Sequence, residues 1–160
     1  MKKYLGLVLL LTMLFGCASA NLNVSKPYIS DKATKLSLSI SKDPGVLIPE
    51  EQYQQIENEI SQGLTQRGLL SPSGYEPKHC VTIDVHSFRM RSDGARLSVG
   101  ILAGCDNINS LVTVTDTSTN EVVGKSEISI KECAAWGVAE QVIKKYTEGV
   151  INYLSNKKGA

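Results

Sequence analysis

The chain has 160 residues, 42% of them apolar and 21% charged, a balance that suits one globular domain and excludes a disordered chain. Its 17 basic residues nearly balance its 16 acidic ones, so no charge excess draws it to nucleic acid or to an anionic lipid surface.

Lys2 and Lys3 precede an apolar run from Leu5 to Phe15, which ends at Gly16-Cys17. A basic start, a short apolar stretch and a small residue before a cut describe a secretory signal peptide. The run is too short to span a bilayer, which takes about 20 apolar residues. The cysteine at the cut resembles the lipobox of bacterial lipoproteins. In that family the equivalent of Cys17 receives a diacylglycerol thioether, the peptide is cut before it, and the new amine is acylated. The resemblance implies that Cys17 is the lipidated N-terminus of a 144-residue mature chain, in which 15 basic residues face 16 acidic ones. Ala18 follows where an aspartate would retain an enterobacterial lipoprotein in the inner membrane, so the expected address is the outer membrane, facing the periplasm. Two or three acyl chains, at about 0.8 kcal/mol per buried CH₂, hold such an anchor essentially permanently.

In chain order, residues 1–16 are the leader, 17–34 are polar and aperiodic and are expected to be a lipidated tether, and 35–156 form one domain. Leu36, Leu38 and Ile40 alternate with serines, which marks a half-buried strand. Asp43-Pro44-Gly45 is a turn. Pro49, Glu50 and Glu51 open a helix with the apolar stripe Tyr53, Ile56, Ile60 and Leu64, and Gly68 ends it. Val81, Ile83 and Val85 define a second strand, and residues 89–106, with Gly94, Gly100 and Gly104, read as a crossing loop or distorted hairpin. A third strand carries Ile108, Val112 and Val114 inward, and Asp116 to Asn120 turns the chain. A fourth carries Ile128 and Ile130 inward. A helix over 134–154 then presents Trp136, Ala139, Ile143, Tyr146 and Val150 on one face. One-faced helices and alternating strands predict an α+β two-layer sandwich. Its sheet is expected to be mostly antiparallel and four-stranded, with two helices on one face in the order β-α-β-β-β-α.

Asp93-Gly94-Ala95-Arg96, Gly100, Ala103-Gly104, the turn from Asp116 to Val123 and the final Gly149 to Leu154 together resemble a family of proteobacterial lipoproteins with a domain of unknown function. That family is similar in fold to the N-terminal domain of TolB and to the periplasmic domain of the curli secretion lipoprotein. The resemblance implies an envelope component with a protein partner or an assembly role, and it supplies no catalytic residues.

The residues themselves point away from catalysis. No G-x-S-x-G elbow, P-loop or H-E-x-x-H is present. Cys80 and His86 share a strand face but stand roughly 20 Å apart at about 3.3 Å per residue, too far to share an ion; no metal and no cofactor is expected. Glu50, Glu51, Glu57 and Glu59 read as the solvated face of the first helix. Arg89, Arg91 and Arg96 cluster around the glycine segment and are candidates for contacting a partner, with a solvated loop as the equal alternative. The expected function is non-enzymatic binding or assembly of another envelope protein. The alternative is a glycan- or lipid A-binding module rimmed by residues 93–106.

With Cys17 lipidated, three cysteines remain in an oxidising compartment. If Ser118, Thr119 and Asn120 form the hairpin loop, Thr117 faces Glu121 and the same register puts Cys105 opposite Cys133 on the outward face. A Cys105–Cys133 disulfide is therefore expected, with Cys80 the spare thiol; one bulge near Gly104 would flip the parity and undo the pairing.

Overall fold

The computed structural model describes residues 20–30, 34–92, 94, 104–133 and 139–155. Five strands and two helices follow one another as β1 (Asn21–Lys26), β2 (Leu36–Lys42), α1 (Glu50–Gln66), β3 (His79–Arg89), β4 (Asp106–Asp116), β5 (Val122–Glu132) and α2 (Ala139–Leu154). The sheet runs β1-β5-β4-β3-β2. β1, β5, β4 and β3 pair antiparallel, whereas β2 lies parallel to β3. The fold is thus α+β with a mixed five-stranded sheet and two helices, where four strands were expected. The parallel pair has a simple cause: α1 joins β2 to β3, and a helical crossover returns the chain to the end from which it started.

The fifth strand, β1, lies inside the expected tether. Its sequence, NLNVSK, offers only Leu22 and Val24 as apolar residues, and every position is exposed. Pairing with β5 and contact with α2 hold it there. A side-chain carbon at Gly149 would fall 2.6 Å from Ala20 Cβ, so this glycine, unfavourable by about 1 kcal/mol in a helix, is what admits the entering chain beside α2.

Alternation carries the core as expected. Val81, Ile83, Val85, Ile108, Val112, Val114, Ile128 and Ile130 are buried, and so are Ile56, Ile60, Leu64, Ile143 and Val150 above them. Trp136, placed in the same stripe by its spacing, lies outside the described residues. Tyr146 enters the core with its hydroxyl donating to Ser110 Oγ at 2.6 Å; burial pushes its pKa to about 12. α1 ends as its glycine requires, with Gly68 at φ +67° and Leu69 folded back so that its N–H donates to Leu64 O.

The β4–β5 hairpin departs from expectation at its tip. Asp116, not Thr117, faces Glu121: the Asp116 N–H donates to Glu121 O and the Asn120 N–H to Asp116 O, with Asn120 at φ 58°. The loop is thus one residue longer. Thr115 then opposes Val122 while Val114 opposes Gly124, so Val123 is an inserted bulge residue that restores the anticipated register beyond it. From Val114 to Asp106 the two strands pair as the sequence indicated.

Truncating Ile83→Ala or Ile128→Ala is expected to lower unfolding free energy by about 2–5 kcal/mol, whereas Thr113→Ala on the opposite face changes it by less than about 0.5 kcal/mol. Urea titration of the three variants compares the faces directly; equal losses would mean the outer face is covered too.

Candidate functional site: the two ends of the sheet

The strand directions divide the expected site residues between opposite ends. At one end lie the start of β4 and the finish of β2, β3 and β5; at the other lie the hairpin tip and the starts of β2 and β3.

At the first end, Cys105 and Cys133 are joined in a disulfide immediately beyond the Asp106–Glu132 pair, and Cys80 is a free, half-buried thiol. Arg91, expected on a contact patch, is instead only 7% exposed. Its backbone N–H donates to Asp106 Oδ1 at 2.6 Å, and its guanidinium donates to Asp106 Oδ2 at 3.0 Å and to Glu132 O at 3.3 Å. A guanidinium removed from water needs a paired carboxylate, and this one fastens the chain leaving β3 to the ends of β4 and β5. Arg89 is exposed, and its guanidinium lies over Gly104, where a side-chain carbon would meet it at 2.8 Å. Arg96 and most of the 93–106 glycine segment lie outside the described residues, so the expected grouping of the three arginines lies partly outside them.

At the second end a cluster appears that the sequence reading did not assemble. His79 is buried; Tyr28 OH lies 2.9 Å from its Nδ1, and Asp116 Oδ2 lies 3.5 Å from its Nε2. Tyr28 stands edge-on to the imidazole at 5.6 Å. Both ring nitrogens are thus in contact with side chains of the domain itself, and the cluster ties the segment after β1 to the start of β3 and the end of β4. Asp116 does double duty, since its Oδ1 also accepts from Ser118 N–H, Ser118 Oγ and Thr119 N–H. Those bonds, with Ser118 first, lower its pKa to about 2. The Tyr28 ring also packs on Gly124, and Tyr153 OH donates to Lys26 O at 2.9 Å, so the segment after β1 is fastened at three points.

The remaining candidates separate. His86 is exposed and pairs with Asp43 at 2.8 Å. Among the described residues no group of three or more His, Cys, Asp or Glu side chains gathers to hold a metal. Glu59, expected on the solvated face of α1, is half-buried and accepts from Thr147 Oγ1 of α2 at 2.7 Å. It lines an open groove of about 590 Å³ between the helices, with Gln62, Arg67, Lys144 and Thr147. Polar but without a nucleophile–base pair, that groove contains no recognisable catalytic arrangement. Among the described residues no helix is long and apolar enough to cross a membrane.

The domain therefore belongs to the class of α+β sandwiches with both helices on one face of a mixed sheet. No protein-family model matches the chain, and no curated protein matches it in sequence. Solved structures do share its fold. PelC from Paraburkholderia phytofirmans, crystallised as a dodecamer, is 12% identical over 87% of this chain and 99% of its own, with a TM-score of 0.64. A DUF330 protein from Xanthomonas campestris is 13% identical over 80% and 90% of the two chains, with a TM-score of 0.51. The similarity to a DUF330 protein agrees with an uncharacterised domain family at the level of fold.

Two substitutions separate fastening from contact. Arg91→Ala removes the guanidinium that faces buried Asp106 and should cost about 3–5 kcal/mol of unfolding free energy, clearly more than Arg89→Ala at an exposed side chain; chemical denaturation reads both. Asp116 supplies the pH test. Because its folded pKa is held near 2 against an ordinary 3.8, its stabilisation is full above the ordinary value and lost as pH falls through about 2. Asp116→Asn should flatten that acid limb of a urea-midpoint profile; an unchanged limb would place the effect elsewhere.

Proposed function

We propose that this chain is a lipid-anchored lipoprotein of the outer membrane, facing the periplasm, whose non-enzymatic domain binds or assembles another envelope protein. The observation that carries the reading is β1. It is an edge strand, exposed along its whole length, with Leu22 41% and Val24 42% exposed. An edge with unpaired backbone groups and apolar side chains is a template for pairing with another chain. It begins four residues after Cys17, so the same segment would join anchor to partner. The resemblance to the lipobox at Leu14 to Cys17, and further on to the family of proteobacterial lipoproteins, points to the envelope. The dodecamer formed by PelC is a precedent for assembly by a domain of this shape.

The test places a photo-crosslinking residue at Asn23 in cells. A discrete adduct of higher mass that disappears with Val24→Lys supports pairing at this edge; its absence from the parent protein removes the partner reading. Cys17→Ser should move the protein from the membrane pellet to the soluble fraction, and a correctly cut variant that stays in the pellet would refute the anchor.

A further inference from the structure

We infer that the disulfide-bearing end of the sheet rests on the bilayer that holds the anchor, with Leu47 at headgroup level. This rests on lipidation of Cys17 and follows from chain length. Asn21 pairs with Ser129, three residues short of the last residue of β5, Glu132. Those three residues span about 10 Å at roughly 3.3 Å each. The four steps from Asn21 back to Cys17 span at most about 14 Å fully extended. β1 runs antiparallel to β5, so going back from Asn21 leads toward the end of β5 that carries Cys133. The backbone of the anchored residue therefore reaches at most a few ångströms beyond that end, which leaves the domain little room to stand off from the membrane.

The surface at this end suits the position. Leu47, in the turn between β2 and α1, is 83% exposed, while its neighbour Ile48 is buried and fixes the turn to the core. Leu47 shares a shallow groove with Pro49, Phe88, Arg89 and Met90, and Phe88 and Met90 are half-buried beside it. Lys42 and Arg89, the last residues of β2 and β3, are exposed at the same end. Glu50 and Glu51 in the first turn of α1 offset them, so charge supplies no strong attraction. The anchor's short reach imposes the contact, and an apolar side chain flanked by cations with aliphatic stems tolerates it, because such stems lie along apolar surface while their heads stay at the polar layer. The opposite end, with the hairpin tip and the 71–75 loop, then points away from the membrane.

The experiment uses the full chain purified from membranes with Cys80→Ser, carrying a polarity-sensitive fluorophore at Leu47→Cys or at Ser73→Cys. Each is reconstituted into phosphatidylethanolamine–phosphatidylglycerol vesicles containing a headgroup nitroxide lipid. The label at 47 should be quenched several-fold more than the label at 73. Equal quenching at the two positions, or stronger quenching at 73, in protein whose N-terminal peptide mass includes the lipid would overturn the orientation while leaving the anchor intact. An unmodified Cys17 in that mass spectrum would remove the anchor, and the orientation with it.

Discussion

Ile108, Val112 and Val114 of β4 face Ile130, Ser126 and Gly124 of β5, and nearly everything else in the domain depends on that alignment. Side chains alternate across a strand, so one register decides which half of each strand meets the helices. With even-numbered residues of β4 and β5 inward, Ser110 comes beneath Tyr146, Asp106 comes within reach of Arg91, and Asp116 reaches His79. The same parity leaves Cys105 and Cys133 directly opposed. Slipping the pair by one residue would exchange the apolar face for the one carrying Asn107, Asn109 and Thr113, and would separate each of these contacts at once.

The hairpin tip and the disulfide end secure that register by different means. Asp116 organises the tip by accepting hydrogen bonds from Ser118 and Thr119, so the turn geometry is enforced by a half-buried carboxylate whose charge those bonds support. At the far end the carboxylate is Asp106, buried and neutralised by Arg91, with a covalent link one residue beyond. Cross-linking 28 residues apart shortens the loop available to the unfolded chain, while the ion pair fastens β3's exit, which the disulfide does not touch. The two devices are therefore complementary rather than redundant.

What could be read from sequence follows from range. Alternation in β3 to β5 and the stripe Ile56-Ile60-Leu64 are local signals, and each is buried as its period required. β1 was opaque because an edge strand lying mostly outside the core needs few apolar residues, and NLNVSK has two. Its place depends on Gly149, more than a hundred residues away, which as a lone helical glycine reads only as a weakness. Arg91 reads as a surface cation because its partner Asp106 lies beyond the glycine segment. His79 likewise needs Tyr28 and Asp116 from three separate parts of the chain before its role emerges. The disulfide register was legible for an instructive reason. The tip has one more loop residue than expected, and the bulge at Val123 compensates for it, so parity away from the turn is unchanged.

The two edges of the sheet differ in a way that bears on which one meets a partner. At the start of β2, Leu36 exchanges backbone bonds with the chain after α1, through Leu69 O and Ser71 N–H, so that edge is partly covered from within. Further along, Ser39, Ser41 and Lys42 are exposed and polar, and a serine-rich strand ending in lysine is poorly suited to adhesive pairing. Among the described residues β1 has no such cover. Its charge and its proline, Lys26 and Pro27, come only at its last residue and beyond, and Leu22 and Val24 stay half in water along the open stretch. An apolar open edge opposite a blunted one suits the proposed contact: β1 offers the edge that can pair, and the β2 side resists uncontrolled growth of the sheet.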